Sequence, residues 1–407
     1  MASYTPATDV AAGDEEEAAC LQAFELMCAF TVPMTLKAAI ELGLLDALVT
    51  AADDDDGRAL TADELAARLP DALDKAEAAS SVDRMLRLLA SCNVVKCSTE
   101  AGPAGEPLRR RYSPAPVCRV VHRRRQQSPW ISGPLGLVRH RRGLPEHLVR
   151  TKNSIEHLTN FIFHRNYIFF SICPAIDANL PRHQLAAAVG GGGAVAFERA
   201  HGAPMFEYMG TNRRLNTLFN QAMAQQSMIV INKLLDRFHG FDGVGVLVDV
   251  GGGTGGTLEM IMSRHKHITG VNFDLPHVIS QAPSLPGVKH VAGNMFESIP
   301  NGDAIFLKSI LHLQNDEDCI KILKNCHQAL SDNGKLIAVE IVLPAIPEPV
   351  PTAQYPFQMD MIMLNNFRGG KERTELEFTK LAMDSSFSGT LRTTYIFANY
   401  WALEFNK

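Results

Sequence analysis

The chain has 407 residues, of which 46% are hydrophobic and 20% are charged. A chain of this length and composition can bury a sizeable core in two domains, as soluble globular proteins do. The formal net charge of −5 and the pI near 6.3 give no reason to expect a nucleic-acid partner.

Residues 1–14 are predicted to be disordered. The first 20 residues carry several acids and lack the basic and apolar regions of a secretory signal, so a cytoplasmic location is expected. Residues 161–173 form an apolar stretch, but it is interrupted by polar residues and too short to span a bilayer, so no membrane partner is expected. The 8 cysteines are scattered without metal-ligand spacing, which predicts reduced thiols and no metal site.

Residues 15–118 are predicted to be a mostly helical domain. Apolar positions recur at helical spacing through residues 16–48, and Pro33 is expected to break this run between two helices. Thr61 and Glu64 have the spacing of a capping box before an apolar face, which predicts the start of a further helix.

An amphipathic helix is predicted at residues 82–89, and residues 93–97 can form a strand after it. Short helices followed by a small hairpin are typical of a winged-helix module, which serves either DNA binding or dimerisation. Arg84 and Arg87 are the only two cations on this helix face, too few for a DNA reader. Dimerisation is therefore the favoured interpretation.

Residues 119–194 differ from both flanks and are predicted to be a poorly ordered insert. Arginines crowd this segment, no helical or strand period persists, and residues 190–193 close it as a flexible glycine run. A nucleic-acid-binding patch is the alternative interpretation of the arginines. Because regular patterns flank the segment, we also hypothesise that an out-of-frame or retained-intron translation produced it.

Residues 195–407 alternate between helical and strand patterns. Helices are predicted at residues 213–238, 257–265, 276–281 and 316–330, and strands at residues 245–250, 269–273, 288–292, 304–308 and 335–342. This alternation predicts an α/β fold with a doubly wound, mostly parallel sheet. The last 20 residues are expected to add closing strands, one of them antiparallel.

The first of these strands ends in a glycine loop that opens into a helix. Gly251, Gly253 and Gly256 have the spacing of a dinucleotide-binding loop, in which backbone N–H groups approach the ligand at a helix N-terminus. The loop therefore predicts a nucleotide-like cofactor, but its spacing alone does not decide which one.

Two acids near the loop bear on the cofactor. Asp249 lies two residues before the first glycine, where a carboxylate would repel a pyrophosphate but suits the ammonium and sulfonium cations of S-adenosylmethionine (SAM). Asp274 ends the next predicted strand, about 20 residues beyond the loop, where a carboxylate can hold ribose hydroxyls. Asp274 fits either cofactor, so the preference for SAM comes from Asp249.

The chain resembles the plant caffeic acid O-methyltransferase family, whose members use SAM to methylate phenolic hydroxyls. The resemblance covers about residues 15–118 and 195–407. It rests on motifs that occur in order at residues 247–255 (LVDVGGGTG), 273–278 (FDLPHV), 286–291 (PGVKHV), 302–306 (GDAIF), 323–326 (LKNC), 332–335 (DNGK) and 369–374 (GGKERT). It implies a Rossmann-like SAM-dependent methyltransferase domain after a winged-helix dimerisation domain, and hence a homodimer.

The reaction of this family needs a base, because a phenol has a pKa of about 10 and is protonated at neutral pH. His312 follows the predicted strand at residues 304–308, at the edge where open α/β sheets bind ligands. The resemblance implies that His312 is the general base and that Glu340 and Glu372 flank it. A carboxylate beside a base histidine fixes its tautomer and stabilises the imidazolium.

The resemblance also implies the residues of two pockets. The cofactor positions are Gly251, Asp274, Asn294, Met295 and Lys308. Gly251 would lie alongside the methionine part of SAM. Asp274 would accept hydrogen bonds from the ribose hydroxyls, and Met295 would pack on the adenine. The acceptor positions are Phe219, Met223, Met363 and Phe367, whose side chains can grip an aromatic ring.

Several positions depart from the family's pattern. Around the base the family has Lys-Trp-Ile-x-His-Asp-Trp, whereas residues 308–314 read Lys-Ser-Ile-Leu-His-Leu-Gln, so that Leu313 replaces an acid. Asn294 replaces an aspartate, Phe367 replaces a substrate-contacting asparagine, and Met209 replaces a pocket histidine. These changes are expected to reshape acceptor recognition more than they remove the base.

Three functions follow from these patterns. The favoured one is methyl transfer from SAM to a phenolic hydroxyl of a small phenylpropanoid or flavonoid, such as a caffeic acid-like acceptor. The second is a catalytically impaired homologue or dimer partner, since Leu313 and Asn294 alter the site. The third is an NAD-dependent oxidoreductase, which depends only on the glycine spacing.

Overall fold

The computed structural model describes residues 15–54, 57–69, 74–100, 109–127, 179–191, 195–350 and 353–407. The predicted disorder of residues 1–14 and most of the Arg-rich segment lie outside these residues. The N-terminal elements are α1 (Glu15–Cys28), α2 (Thr31–Glu41), α3 (Leu44–Asp54), α4 (Ala62–Ala66), α5 (Lys75–Ser91), β1 (Val95–Glu100), β2 (Arg109–Pro114), α6 (Pro116–Gln127) and α7 (Asn179–Gly191).

The N-terminal domain combines helices with a two-stranded hairpin. The predicted capping box is confirmed, because Glu64 N donates to Thr61 Oγ1 at 3.2 Å and Thr61 N donates to Glu64 Oε2 at 2.8 Å. Helix α5 buries Val82 and Met85 in the centre of the domain. Strands β1 and β2 pair antiparallel directly after this helix, as expected of a winged-helix module.

Pro33 does not separate two helices, so that prediction was wrong. The breaks fall before α2 and between Leu42 and Gly43, and Pro33 lies in the first turn of α2. The first-turn N–H groups of a helix have no intrahelical acceptor, so a proline costs no hydrogen bond there. Gly43, at φ 70°, takes the left-handed conformation that ends the helix.

The Arg-rich segment is more regular at its ends than the sequence indicated. Its start belongs to α6, and its end belongs to α7, which includes Gly190 of the expected flexible run. Leu185 and Val189 lie one helical turn apart and are buried in the N-terminal core. Two apolar positions in one turn are too few for a period to be recognised in the sequence, which explains the error.

The second domain contains the predicted sheet. Its helices are α8 (Ala196–His201), α9 (Met205–Thr211), α10 (Arg213–Arg237), α11 (Gly256–Arg264), α12 (Pro276–Ile279), α13 (Asp316–Ala329), α14 (Gln354–Asn366) and α15 (Glu375–Asp384). Its strands are β3 (Val246–Val250), β4 (Thr269–Asp274), β5 (Val288–Ala292), β6 (Gly302–Lys308), β7 (Leu330–Ile341), β8 (Arg392–Phe397) and β9 (Tyr400–Asn406). The predicted helices and strands are confirmed, with ends that differ by a few residues.

The strand order of the sheet is β5-β4-β3-β6-β7-β9-β8. Strand β9 runs antiparallel to both β7 and β8, and the other neighbouring pairs are parallel. From β3 the chain winds outward through β4 and β5, and it then returns to the other side of β3 as β6. This reversal places a crevice at the carboxyl ends of β3 and β6, where open α/β sheets bind ligands. The glycine loop follows β3 and the segment of His312 follows β6, so both border this crevice.

Helix α14 belongs to the cores of both domains. Its Phe357 and Met361 pack in the core of the N-terminal domain, whereas Tyr355 and Met359 pack in the core beneath the sheet. Full burial of one such side chain contributes about 1.5–3 kcal/mol. The two domains therefore share one structural element as well as an interface.

One stretch of the described residues, Glu17–Glu41, has the length and hydropathy of a membrane-crossing helix. The structure divides it into α1 and α2, and 44% of its most apolar window is buried inside the protein. Core helices of soluble proteins pass the same test, so this is weak support for a membrane span. The absence of a membrane partner stays a prediction.

Candidate active site

The turn that carries His312 is shaped by Glu340. Strand β6 ends at Lys308, and a 3-10 turn follows at Leu311–Leu313. Glu340 lies at the end of the neighbouring strand β7, and its Oε1 accepts the N–H groups of Ile310 at 2.9 Å and Leu311 at 2.8 Å. Two backbone donors on one buried carboxylate oxygen fix the direction in which the turn leaves the sheet.

His312 and Glu372 form the central pair of the site. His312 Nδ1 lies 2.8 Å from Glu372 Oε1, and both residues are buried. An ionised carboxylate can only accept a hydrogen bond, so Nδ1–H donates to Glu372 and Nε2 is the basic nitrogen of the neutral ring. The structure therefore brings together the three residues that the resemblance assigned to catalysis, His312, Glu340 and Glu372.

The charges around His312 favour its protonated form. Burial lowers the pKa of His312, but Glu372 and Glu340 outweigh burial and Lys308, and the pKa lies above its usual value of 6.5. The pKa of Glu340 is raised, because burial and the charge of Glu372 outweigh the stabilising effect of His312 and of the two backbone N–H groups. The site can thus accept a proton on the imidazole and stabilise the resulting cation.

The loop between α14 and α15 is joined to the His312 turn by backbone and arginine contacts. Lys371 N donates to His312 O at 2.9 Å. The fully buried Arg373 donates to Leu311 O and to Gln314 O, both at 2.7 Å. Because these contacts lie on either side of Glu372 in the sequence, the loop holds that carboxylate against His312.

The glycine loop after β3 leaves open backbone beside this turn. Gly251 has φ 72°, and a Cβ there would lie 2.5 Å from Ile310 Cδ1, so only glycine fits. A Cβ on Gly252 would lie 2.6 Å from Asp249 Oδ2 and 2.2 Å from Asn272 Oδ1. The loop thus exposes its main chain to a ligand, and it lies against Ile310 in the turn that carries His312.

Two buried polar atoms beneath the loop indicate that a ligand completes the site. Asp249 Oδ2 and Asn272 Oδ1 are buried and have no hydrogen-bond partner among the described residues. Burial and the charge of Asp274 raise the pKa of Asp249 to about 7, although Lys308 opposes this. A cationic ligand would supply the missing partner. The residues present therefore fit SAM, which carries two cations beside its methyl group.

The other cofactor positions border the same crevice, but some already have protein partners. Asp274 Oδ2 accepts Gly253 N at 2.8 Å, and its remaining lone pairs can accept ribose hydroxyls. Asn294 Oδ1 accepts Phe296 N at 3.1 Å, while its amide donates to Glu297 at 3.0 Å, so this side chain caps its own turn. A hydrogen bond from the cofactor to Asn294 would have to use the second lone pair of Oδ1.

Met295 and Lys308 complete the cofactor positions. Met295 packs partly buried against the core beneath the crevice, as expected either of an adenine contact or of a structural residue. Burial lowers the pKa of Lys308 to about 8, against the raising effect of Glu340 and Asp249. A lysine that loses its charge readily is compatible with a cationic ligand nearby.

The predicted acceptor residues lie on α10 and α14 and at the end of α14. Met363 is buried in the core beneath the sheet, and Met223 is partly buried. Phe219 and Phe367 both contact the ring of Phe206, at centroid distances of 6.1 Å and 5.5 Å. Sequence reasoning missed Phe206, which lies half exposed on α9, because an exposed phenylalanine outside a motif gives no signal.

His312, Glu340 and Glu372 also offer ligand atoms that lie within 4.8 Å of one another, the only such group among the residues that the structure describes. A metal ion there would compete with the Nδ1–Oε1 hydrogen bond and with the two backbone N–H groups on Glu340. The absence of a metal site therefore stays our prediction.

A buried charge network behind Glu372 was not predicted. Asp360 on α14 accepts Glu372 N at 3.0 Å and pairs with Arg84 and Arg87 of α5. The two arginines that counted as surface cations in the sequence are in fact buried at an interdomain contact. One signal could have found the network: Asp360 is the only charged residue of the helix Gln354–Asn366.

Two family models match this chain. A family model described as an O-methyltransferase domain matches residues 182–388, and one described as an O-methyltransferase dimerisation domain matches residues 24–124. The crystal structure of human N-acetylserotonin methyltransferase in complex with SAM has a TM-score of 0.53 at 19% identity. It covers 97% of this chain and 99% of that chain, and this likeness shows the fold alone.

Two rice proteins are much closer in sequence. A probable inactive methyltransferase of Oryza sativa subsp. japonica is 65% identical over 407 residues, which covers 100% of this chain and 99% of that relative. Caffeate O-methyltransferase-like protein 2 of the same plant is 63% identical over 407 residues, which covers 99% and 100%. Both match along the whole chain, so the Arg-rich segment adds little length relative to them. The hypothesis of an aberrant translation stays a prediction.

The family models and the relatives do not support the oxidoreductase that the glycine spacing left open. The dimerisation model matches the helices and the hairpin that precede the sheet. His312, its two carboxylates and the glycine loop surround one crevice, and the chain belongs to the plant caffeic acid O-methyltransferase family, with SAM as its cofactor.

Proposed function

We propose that this protein transfers the methyl group of SAM to a phenolic hydroxyl of a small phenylpropanoid or flavonoid, with His312 as the general base. The observation that carries the proposal is the 2.8 Å contact between His312 Nδ1 and Glu372 Oε1. It presents Nε2 as the proton acceptor at the edge of the crevice that the glycine loop borders. A caffeic acid-like acceptor is supported by the rice relative whose name refers to caffeate.

The residues of the chain divide the work of the reaction. SAM, when bound, would supply an electrophilic methyl group, and its carbon–sulfur bond would break to leave a neutral thioether. His312 takes the proton of the acceptor hydroxyl, so that the phenolic oxygen forms the new bond to carbon as it loses hydrogen. Glu372 stabilises the imidazolium that results, and Glu340 keeps the turn in place.

Cofactor binding falls to the other side of the crevice. Asp249 would face the cationic part of SAM, and the open backbone of Gly251 would lie alongside its methionine end. Asp274 would accept hydrogen bonds from the ribose hydroxyls. The acceptor ring would lie against apolar side chains, with Phe219 and Phe367 among them. This arrangement sets the hydroxyl between the base and the methyl donor.

The test is a mass-spectrometric screen of hydroxycinnamates, flavones and flavonols with SAM. We expect a product heavier by one methylene unit from at least one catechol-like compound, formed at least about 100-fold more slowly by the variant His312→Gln. Titration calorimetry with SAM and with its demethylated product runs in parallel. The proposal fails if SAM binds but no acceptor is methylated above the His312→Gln background.

That negative result would favour the second candidate, a catalytically impaired homologue. The observation behind it is the name of the rice relative at 65% identity, which describes a probable inactive methyltransferase. Against it stand the contacts of His312, Glu340 and Glu372, which are all present in this chain. A protein that binds SAM but methylates none of the acceptors would be this candidate, whereas an inactive preparation would not bind SAM.

We also propose that the protein is a cytoplasmic homodimer, joined through its N-terminal domain. The match to a dimerisation domain supports the dimer, as do three apolar side chains that lie exposed on α1 and α6, namely Leu26, Val117 and Val120. Analytical ultracentrifugation should give twice the mass of one chain. The variant Leu26→Glu should shift the equilibrium towards the monomer, and a monomeric wild-type protein would contradict the proposal.

A further inference from the structure

Asp360 joins two arginines of the N-terminal domain to the loop that carries Glu372. The residue is 1% exposed, at the middle of α14. Arg84 Nε lies 3.1 Å from Asp360 Oδ2, Arg84 Nη2 lies 2.8 Å from Oδ1, and Arg87 Nη2 lies 3.3 Å from Oδ2. Arg84 Nη2 also donates to the backbone oxygen of Asp360 at 2.7 Å.

The two arginines are as buried as the acid that they contact. Each is 7% exposed, so their charges cannot rely on water. Burial lowers the pKa of Arg87, but Asp360 and Asp83 outweigh it and the net shift is upward. Asp83, which also accepts the hydroxyl of Tyr112 at 2.8 Å, fixes Arg87 to the hairpin side of its own domain. The charges of this cluster therefore hold one another in one arrangement.

The same carboxylate reaches the active site through one backbone contact. Glu372 N donates to Asp360 Oδ1 at 3.0 Å, while the side chain of Glu372 accepts His312 Nδ1–H at 2.8 Å. Asp360 thus fixes the main chain of the residue that orients the base. A shift of Asp360 moves the Glu372 carboxylate, because one residue makes both contacts.

We propose that Arg84 and Arg87 are positioning residues for His312, and that they act through Asp360 and the backbone of Glu372. The inference rests on the proposed role of His312 as the base. It makes the N-terminal domain, beyond its part in dimerisation, a structural support of the catalytic pair. A displacement of about 1 Å at a reacting group can cost about 100-fold in rate, so a support of this kind matters.

Other charged groups around His312 do not depend on this cluster. Glu340 and Lys308 face the imidazole from β7 and β6, and Glu340 is fixed by Ile310 N and Leu311 N. Arg373 and Lys371 hold the loop from the side of α13. Loss of the arginine contacts should therefore loosen Glu372 and leave the rest of the site in place.

The variant Arg84→Met tests the proposal in the full-length chain. Methionine keeps an apolar stem of similar length, removes the contacts to Asp360, and leaves Arg87 as a partner for the acid. The matched control is Arg110→Met. Arg110 also crosses the domain boundary, where it donates to Ala345 O at 3.0 Å and 3.1 Å. It contacts Asp83 at 3.2 Å, at the edge of the cluster, but it does not contact Asp360.

The first readout is the pKa of His312, followed by NMR on histidine-labelled protein and assigned by the signal that His312→Gln removes. We expect Arg84→Met to lower this pKa, because Glu372 no longer holds the protonated ring, and Arg110→Met to leave it unchanged. The second readout is turnover. Arg84→Met should lower kcat by about 10- to 100-fold while the Kd for SAM stays the same.

An unchanged His312 pKa in a folded Arg84→Met variant would overturn the proposal. So would an equal loss in Arg110→Met, because that result would indicate a general loosening of the domain boundary. If Arg84→Met shows no cooperative unfolding transition, the variant Arg84→Lys replaces it. We then expect a smaller fall of the His312 pKa, and an unchanged pKa would overturn the proposal. The titration needs no substrate, so it remains decisive even if the protein methylates nothing.

Discussion

The two sides of the crevice treat their buried acids differently. Glu372 has a partner within the chain for one carboxylate oxygen, since His312 Nδ1 lies 2.8 Å from its Oε1, whereas its Oε2 has none among the described residues. The charge of Asp274 raises the pKa of Asp249 and that of Lys308 lowers it. The Oδ2 atom of Asp249 has no hydrogen-bond partner among the described residues. The base side is thus organised before any ligand arrives, whereas the cofactor side is completed by the ligand. Variants on the two sides should therefore fail in different ways.

The largest effect is expected on the base side. His312→Gln should reduce kcat by about 100- to 10,000-fold, because His312 is the proposed acceptor of the phenolic proton. The Kd for SAM should change little, since the glycine loop is untouched. Product formation by mass spectrometry and binding by calorimetry measure the two quantities. His267→Gln, at an exposed histidine, is the control, and equal losses in both variants would contradict the assignment.

Glu372→Gln should weaken the base without removing it. A hydrogen bond to a charged group contributes about 1.5–3 kcal/mol, so kcat should fall by about 10- to 100-fold. Wild-type kcat should rise with pH through a pKa above 6.5, because only the neutral imidazole accepts the proton, and the variant's limb should move to lower pH.

The same pair links stability to pH. The folded-state pKa of His312 is raised, so the stability that the pair contributes is fully present below about pH 6.5, the unfolded value. It is lost as the pH rises through the folded-state pKa. Thermal unfolding of wild type and Glu372→Gln across this range would show it as a difference that shrinks with increasing pH. A difference that grows with pH would contradict the assigned charges.

On the cofactor side, Asp249→Asn should weaken SAM binding by about tenfold at neutral pH and leave the His312 titration unchanged. The pKa of Asp249 is about 7 before the ligand binds, so the carboxylate forms only as the pH rises. Wild-type affinity for SAM should therefore increase between pH 6 and pH 8, which calorimetry can follow, and the variant should lose this dependence.

Asp303→Asn is the matched control for that experiment. Asp303 accepts Val246 N at 2.8 Å, at the far end of the same strand β3. We expect this variant to bind SAM with the wild-type pH dependence. If both variants lost the dependence, the titration would have to be assigned to a group other than Asp249.

The smallest effect is expected at the acceptor wall. Phe367→Asn removes one ring of the contact with Phe206, and an aromatic pair is worth about 0.5–1.5 kcal/mol. The KM for the acceptor should change by about two- to tenfold, and the preference among acceptors should shift, while SAM binding stays constant. Leu376→Asn, at an exposed position on α15, is the control. If acceptor preference did not change, the ring of Phe367 would not contact the acceptor.

Periodicity and motif order predicted most of the second domain. The alternation of buried strands and amphipathic helices fixed the strands that end at Val250 and Lys308, and their carboxyl ends meet at one crevice because parallel strands share an edge. His312, Glu340 and Glu372 came from the resemblance. Local patterns cannot bring together residues that lie far apart in the chain, and only the fold shows the 2.8 Å contact across the site.

The remaining features depend on tertiary contacts that local patterns do not encode. Arg84 and Asp360 are far apart in the sequence, and only the fold brings them together. Leu185 and Val189 gain their burial from α2 and the core around it and not from a period of their own. Pro33 is tolerated for the position that it takes in a helix, and that position is set by where α1 ends.

The membership of α14 in two cores has a consequence for how this protein can change over time. Phe357 and Met361 face one domain while Tyr355 and Met359 face the other, so neither half can be exchanged for a foreign module without exposing apolar surface. Recombination at the linker would leave this helix unmatched. An exchange of either half would therefore require matching changes on α14, where the two cores meet.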